Sequence, residues 1–355
     1  MARDYTTEIQ KYMTIVSSQG GSDLHLSTNS RPTIRVDGSL TTLLSEPILN
    51  KDDCVGFLKV ITTADQFTLF NSRQELDFSF SFEGSDRFRC NAFIQQGSVA
   101  IVMRRIPKII RSLEDLKLPP VLSNFARRKQ GFFLVVGPVG QGKTTTLAAL
   151  LDIVNTERPA HIVTIEDPVE YLHTPKQALI DQREVGVDTQ DFQTALKSAF
   201  RQDIDVLMVG EMRGHETMSA AVTAAETGHL VFSTLHTNNA AQTIDRIIDT
   251  FPAEQQDQIR LQLSASLAGI FSQRLIPRLS GGMAPAYELL INNKAVANLI
   301  RERRTHEINT LIETGTDEGM IDMNRTLAEL VSRSEISIES AYAHAFNPQM
   351  LEKLI

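Results

Sequence analysis

The stretch that most constrains this chain is GPVGQGKT, residues 137–144. It follows the apolar run GFFLVV (131–136) and precedes TTLAALLDIV (145–154), a helix-forming segment. Strand, glycine-rich loop and helix in that order are the setting in which G-x-x-x-x-G-K-[ST] binds phosphate. Gly137, Gly140 and Gly142 let the backbone turn its N–H groups inward, while Pro138, Val139 and Gln141 fill the rest of the loop. The helix N-terminus adds the positive end of its dipole. Lys143 is the residue that reaches the β- and γ-phosphates, and the Thr144 hydroxyl the one that ligates Mg²⁺, with Thr145 beside it in the first turn. The pattern predicts a site for ATP and Mg²⁺.

The rest of the sequence supplies the frame. From residue 130, the short apolar runs GFFLVVG, HIVTIED, DVLMVGE and HLVFSTLH alternate with helix-length segments. Strands buried on both faces with helical crossovers predict a mainly parallel α/β sheet over 130–293. Beyond 294 the pattern is helical to the end, through AVANLIRERR, THEINTLIETG, MNRTLAELVSR and SIESAYAHAF. Residues 1–107 read differently: a short helical start, then period-2 strands with turn residues between them, the pattern of an antiparallel sheet. TIRVDGSL (33–40) is a hairpin turning on Asp37-Gly38, and ELDFSFSF (75–82) puts Leu76, Phe78, Phe80 and Phe82 on one face. RFRCNAFI (87–94) sets Phe88, Cys90, Ala92 and Ile94 against Arg87, Arg89 and Asn91, and Arg104 and Arg105 fall on opposite faces of VAIVMRRI (99–106). Residues 108–129, entered at Pro107 and holding Pro119-Pro120, read as a linker.

Three further stations surround the loop. TIEDPVEYLH (164–173) delivers Glu166 and Asp167 to the C-terminal edge of its strand, where ligands bind in such sheets. DVLMVGEMR (205–213) ends in Gly210-Glu211 where most phosphate-loop ATPases have Asp-Glu, so Glu211 takes over the work of the missing Asp or shares it with Glu166. GHLVFSTLH (228–236) carries His229 at its start and His236 at its end, the latter placed to sense a γ-phosphate.

Composition excludes several classes. No run of about 18 apolar residues could span a bilayer, and the N-terminus MARDYTTEIQ has no secretory pattern. The reading is a cytosolic chain. Cys54 and Cys90 are too few for a disulfide framework or a four-thiolate zinc site and read as core thiols. A formal net charge of −8 opposes nucleic acid as a partner.

With these stations in place, the chain resembles the secretion ATPase superfamily and, within it, the type IV pilus retraction ATPases of the PilT and PilU branches. The resemblance runs over nearly the whole chain. It rests on GGSDLHLS with RVDG, DRFRCNAFIQQG, the phosphate loop, TIEDPVEYLH, QREVG, LMVGEMR, AAETGHLVFSTLHTNNAAQTIDRI and FPAEQQ. It implies a PAS-like N-terminal domain joined to a RecA-like ATPase core, assembled as a homo-hexamer with nucleotide between subunits. Gly210-Glu211 is then the family's usual ending of that strand, with Glu211 on the Mg²⁺ side. Glu166 would orient or deprotonate the attacking water, His236 would contact the γ-phosphate, and Arg89 and Arg104 match the arginines that reach the triphosphate. His229, in the same histidine box, is grouped with the nucleotide-binding residues. The partners implied are an inner-membrane platform protein of the PilC type and a paralogous PilT or PilU ATPase, with the protein peripheral to the inner membrane. The function implied is pilin disassembly during twitching motility; the alternatives are a PilU-like accessory ATPase and a pilus assembly or type II secretion ATPase. Three positions depart from the family pattern: Gln96 replaces an arginine in QQG, Ile204 a proline in RQDID, and Ala297 the first arginine of the motif that reads AVANLIRE here. THEINTLI and HETM lie closer to the PilU branch.

Overall fold

The computed structural model describes residues 3–36, 38–81, 86–106, 109–212 and 214–355. The expected roles of Asp37, Phe82 and Pro107 in turn, core face and connector lie outside the described residues. Two compact units make up the chain: one holds residues 1–109 with Pro168–Leu172, the other Ile110–Asp167 with His173–Ile355.

In the first unit, helix α1 (Tyr5–Ser18) precedes strands β1 (Asp23–Ser27), β2 (Thr33–Val36) and β3 (Ser39–Thr42). Helices α2 (Lys51–Ile61) and α3 (Ala64–Arg73) follow, then β4 (Glu75–Ser81), β5 (Arg87–Gln95) and β6 (Ser98–Ile106). Both helices open on reciprocal side-chain caps, Asn50 with Asp53 and Thr63 with Gln66, which satisfy N–H groups the helix itself cannot. The sheet order is β3-β2-β1-β6-β5-β4, antiparallel throughout. Its register makes straight rows. Ile34, Leu24, Met103, Cys90 and Phe78 stand side by side and are buried against Tyr12, Phe57 and Leu58. One residue along, Arg35, Asp23, Arg104, Arg89 and Ser79 form the neighbouring row, on the opposite face because strand side chains alternate. Phe88, Cys90 and Ala92 are buried, whereas Ile94, at the strand end, is exposed. Cys54 is also a buried free thiol.

The second unit contains α4 (Leu122–Ala126), β7 (Gly131–Val136), α5 (Lys143–Glu157), β8 (His161–Glu166), β9 (Leu179–Glu184), α6 (Phe192–Ala199) and β10 (Val206–Val209). It continues with α7 (His215–Glu226), β11 (Leu230–Leu235), α8 (Ala240–Asp249), α9 (Gln256–Ser266), β12 (Leu267–Pro277) and β13 (Met283–Ile291). Five helices close it: α10 (Lys294–Arg301), α11 (Ile308–Thr314), α12 (Met323–Ser332), α13 (Ile338–His344) and α14 (Pro348–Leu354). The sheet runs β13-β12-β7-β11-β10-β8-β9, parallel except for the β12–β13 hairpin. β7 shows why its sequence is apolar throughout. Phe132, Leu134 and Val136 enter the core on one face, and Phe133 and Val135 enter the core on the other. Leu113, Leu118, Leu122 and Phe125, from the segment that reads as a linker, are buried in that second core, so this stretch is packed structure. A third cluster ties α12, α13 and α14 to Ile276, Ala284 and Ala286 of the hairpin.

Candidate nucleotide site

The C-terminal edge of the parallel sheet gathers the sequence's stations in strand order. The phosphate loop leaves β7, His236 follows β11, Gly210-Glu211 follows β10 and Glu166 ends β8. The loop glycines 137, 140 and 142 all have positive φ, at 149°, 77° and 76°, a region that L side chains disfavour. Gly142 is the N-cap of α5, and no side chain caps that helix, which leaves first-turn N–H groups free of a side-chain cap, the arrangement that suits a phosphate. Pro138, Val139 and Gln141 span the loop, with Val139 exposed. Thr144 and Thr145 lie in the first turn of α5.

Lys143 is buried. Its Nζ donates to the carbonyls of Gly137 at 2.8 Å and Pro138 at 2.9 Å and lies 3.2 Å from His236 Nδ1. An ammonium has only donors, so Nδ1 is the acceptor and the neutral ring carries its proton on Nε2. That nitrogen faces Glu211 Oε1 at 3.4 Å. Lys143, His236 and Glu211 thus form one polar chain linking the phosphate loop to two neighbouring strands.

Glu166 is 4% exposed. Its Oε1 accepts from Thr164 Oγ1 at 2.7 Å and from Gln182 Nε2 at 3.3 Å. Thr164 lies two residues back on β8, on the same face, and Gln182 is its register neighbour on β9. Gly210 has a packing reason to be glycine. A Cβ there would lie 3.3 Å from the Ile165 carbonyl and 3.4 Å from Glu166 Cα, so an aspartate would press on the backbone that positions Glu166. Glu211 is then the acid that β10 delivers to this edge, and its carboxylate with the Thr144 hydroxyl offers the hard oxygen donors that suit Mg²⁺.

His229 is at the other end of β11, about 20 Å of strand from His236. Its Nδ1 lies 3.0 Å from the Ala224 carbonyl, and the structure does not bring it to the phosphate loop of its own chain. Parallel strands put their N-terminal ends on the edge away from the site, which accounts for the separation. Arg89 and Arg104 belong to the first unit, where they are direct cross-strand neighbours. Arg104 Nε donates to Asp23 Oδ1 at 2.9 Å, and Arg89 lies 3.7 Å from Glu170 Oε1. Burial pushes Asp23 up, but hydrogen bonds from Ser22 and Arg104 outweigh it and hold the carboxyl below its ordinary range. Asp23 therefore stands between Arg104 and Arg35 in the row and offsets the like charges that Arg104 and Arg89 set side by side.

Sequence reasoning missed Thr164, Gln182, Gln273 and Arg274. Gln273 Nε2 donates to the Gln141 carbonyl at 2.8 Å, and its Oε1 accepts from Thr146 at 2.6 Å. Arg274 donates to the carbonyl and side chain of Asn238. Thr164 could have been found by its i−2 spacing from Glu166; the glutamines and Arg274 depend on long-range register.

Known proteins match the chain from end to end. The family described as Type II/IV secretion system protein matches residues 5–347. The type IV pilus retractation ATPase PilT of Pseudomonas aeruginosa is 43% identical over 96% of this chain and 99% of its own length. The type IV pilus ATPase PilU of the same organism is 39% identical over 98% of this chain and 91% of its own. Among solved structures, the pilus retraction motor PilT with bound ADP superposes with a TM-score of 0.91 at 42% identity, covering 97% of this chain and 99% of that one. Phosphate loop, flanking acids and end-to-end likeness converge: the chain belongs to the type II/IV secretion system protein family.

Proposed function

We propose that this chain is an ATPase that powers type IV pilus retraction, working as a ring of six copies on the cytoplasmic side of the inner membrane. The observation that carries the reading is the Lys143–His236–Glu211 chain beneath the phosphate loop, in a protein that is similar to PilT from end to end. Bound Mg²⁺, held by Thr144 and Glu211, would shield the β- and γ-phosphate charge. Lys143 gives its ammonium to the same phosphates. Glu166, fixed by Thr164 and Gln182, accepts a proton from water as the water oxygen attacks the γ-phosphorus. The bond from that phosphorus to the bridging oxygen breaks, and ADP keeps the electron pair. A positioned base of this kind contributes about 10² to 10⁴ in rate. His236 takes its orientation from Lys143 and Glu211 and so senses whether the γ-phosphate is present. Arg89 and Arg104 supply arginine fingers, whose usual contribution is about 10³ to 10⁵, so hydrolysis follows closure around nucleotide. The partners of this reading are an inner-membrane platform protein and the pilin subunits it releases. Among the described residues no helix is long and apolar enough to cross a membrane, so attachment would be through such a partner.

Ala297 in α10 favours a second reading, an accessory ATPase of the PilU kind that needs a partner motor. The two separate in cells. In a strain without its own retraction ATPases, the wild-type chain is expected to restore retraction of fluorescently labelled pili and Lys143→Ala is not. Restoration only when PilT is also present would move the assignment to the accessory reading, and restoration by Lys143→Ala would overturn the ATPase reading altogether.

A further inference from the structure

β12 runs beside β7 as far as Ser272, which pairs with Val136. It then continues past the end of β7, alongside the phosphate loop. Neighbouring strand residues point to opposite faces, and the first two residues of this overhang use that alternation to hold different loops. Gln273 faces the phosphate loop, with both ends of its amide committed to Gln141 and Thr146. Gln141 returns the contact, its Oε1 accepting from the Leu275 N–H at 2.6 Å. The approach is close: a Cβ on Gly137 would lie 2.5 Å from the Gln273 carbonyl oxygen, and one on Gly142 3.0 Å from Gln273 Nε2. Arg274 leaves the strand on the other face, although its NH1 group reaches back to the loop: a Cβ on Gly137 would lie 3.2 Å from it. Its NH2 group donates to the Asn238 carbonyl at 3.0 Å and to Asn238 Oδ1 at 3.1 Å. Its NH1 group donates to the Gln273 carbonyl. Its guanidinium also lies 5.6 Å from the ring centroid of Phe346, which packs with the C-terminal helices. Gln273 and Arg274 are 3% and 7% exposed. A buried arginine whose NH2 group bonds twice to one turn while NH1 bonds to its own strand is a costly choice over an apolar residue, and it is explained if that turn must be held in register.

We infer that Arg274 is a positioning residue that fixes the turn carrying His236, with Phe346 holding the guanidinium from the C-terminal side, while the Gln273 side chain fixes the phosphate loop. The two residues divide the work: Gln273 serves nucleotide binding, and Arg274 serves the orientation of His236 during turnover. Through Phe346 the C-terminal helices gain a route to the turnover step that bypasses the nucleotide pocket. This rests on the reading of His236 as the γ-phosphate sensor.

The test uses the full chain and measures MgATP turnover beside equilibrium binding of a fluorescent ADP. His236→Ala should itself lower kcat. Arg274→Gln should lower kcat about 10- to 100-fold, the scale of a misplaced catalytic group, with ADP affinity changed less than about threefold. Gln273→Ala should do the reverse, weakening ADP binding more than it lowers kcat. Phe346→Leu keeps the apolar packing and loses the ring face, and should show the Arg274→Gln pattern in weaker form. Arg274→Gln on top of His236→Ala should add nothing, because both act at one step. If the double variant multiplies the two losses, or if Gln273 and Arg274 variants share one pattern, the positioning role is overturned while the sensor reading stands. If His236→Ala turns over like wild type, the sensor reading falls and takes this inference with it. Should Arg274→Gln not fold, Arg274→Lys, which keeps charge but cannot bond Asn238 and the Gln273 carbonyl through two planar nitrogens, and Asn238→Ala, which removes one acceptor, must each lower kcat; wild-type rates from both would overturn the role.

Discussion

Glu166 illustrates how a single residue is prepared for its work. A carboxylate in bulk solvent rotates freely, but this one is nearly fully buried and shares Oε1 between a threonine on its own strand and a glutamine on the next. Its orientation is set before water arrives, which is what proton transfer in a displacement requires. Glu166→Gln keeps the shape and loses the base. It is expected to lower kcat by about 10² or more with ADP affinity retained, a result that steady-state turnover and nucleotide titration check together. Thr164→Val, isosteric but unable to donate, should lower kcat about tenfold, and Thr164→Ser should recover most of it. His236 is prepared in another way. A proton on Nδ1 would face the Lys143 ammonium, so the lysine selects the Nε2–H form and directs that hydrogen at Glu211.

At the scale of elements, the placement of strands explains both what could be read from the sequence and what could not. The four apolar runs from 131 onward are legible because burial on both faces leaves few polar positions, Thr164, Glu166, Ser233 and Thr234 among them. β9 is an edge strand of mixed polarity, LIDQRE, and it offers no such signal, although it supplies Gln182. The strands of the first unit were legible by alternation, and their rows put Arg89 and Arg104 together on the face away from the core. Where the chain overruns its neighbour, as β12 does beyond Ser272, nothing local marks the residues that grip the loops. In the segment 108–129, read as a linker from its prolines, Leu113, Leu118, Leu122 and Phe125 are spaced irregularly and show their burial only in the fold. Glycine at 210 belongs to this scale too, since it is the close packing of β10 on β8 that excludes a side chain. Gly210→Asp should fold with a loss of about 1–3 kcal/mol from overpacking and should lower kcat far more than Gly210→Ala. Thermal melts beside turnover rates separate the two effects.

For the whole molecule, stability and activity meet at the β12–β13 hairpin. Burial pushes Glu288 of β13 up to about 7, against hydrogen bonds to its carboxylate from the Ala240 N–H and Ser272. The folded chain therefore holds a proton that the unfolded chain releases at its ordinary value of 4.5. The sign follows: stability is lost as pH rises from the lower of those values to the higher. Glu288→Gln removes the dependence, so the variant should be more stable than wild type above neutral pH by about 3 kcal/mol, with the difference closing in acid; melts across that range would read it. The motor itself is a claim about assembly and turnover together. The measurement that tests it most directly is MgATP hydrolysis by the purified full chain, with its mass in solution recorded in the same buffer and Lys143→Ala as the blank. A particle of six subunits that hydrolyses ATP and loses that activity with Lys143 is the predicted result; a chain that binds ATP, stays monomeric and turns nothing over would contradict the account of an autonomous motor.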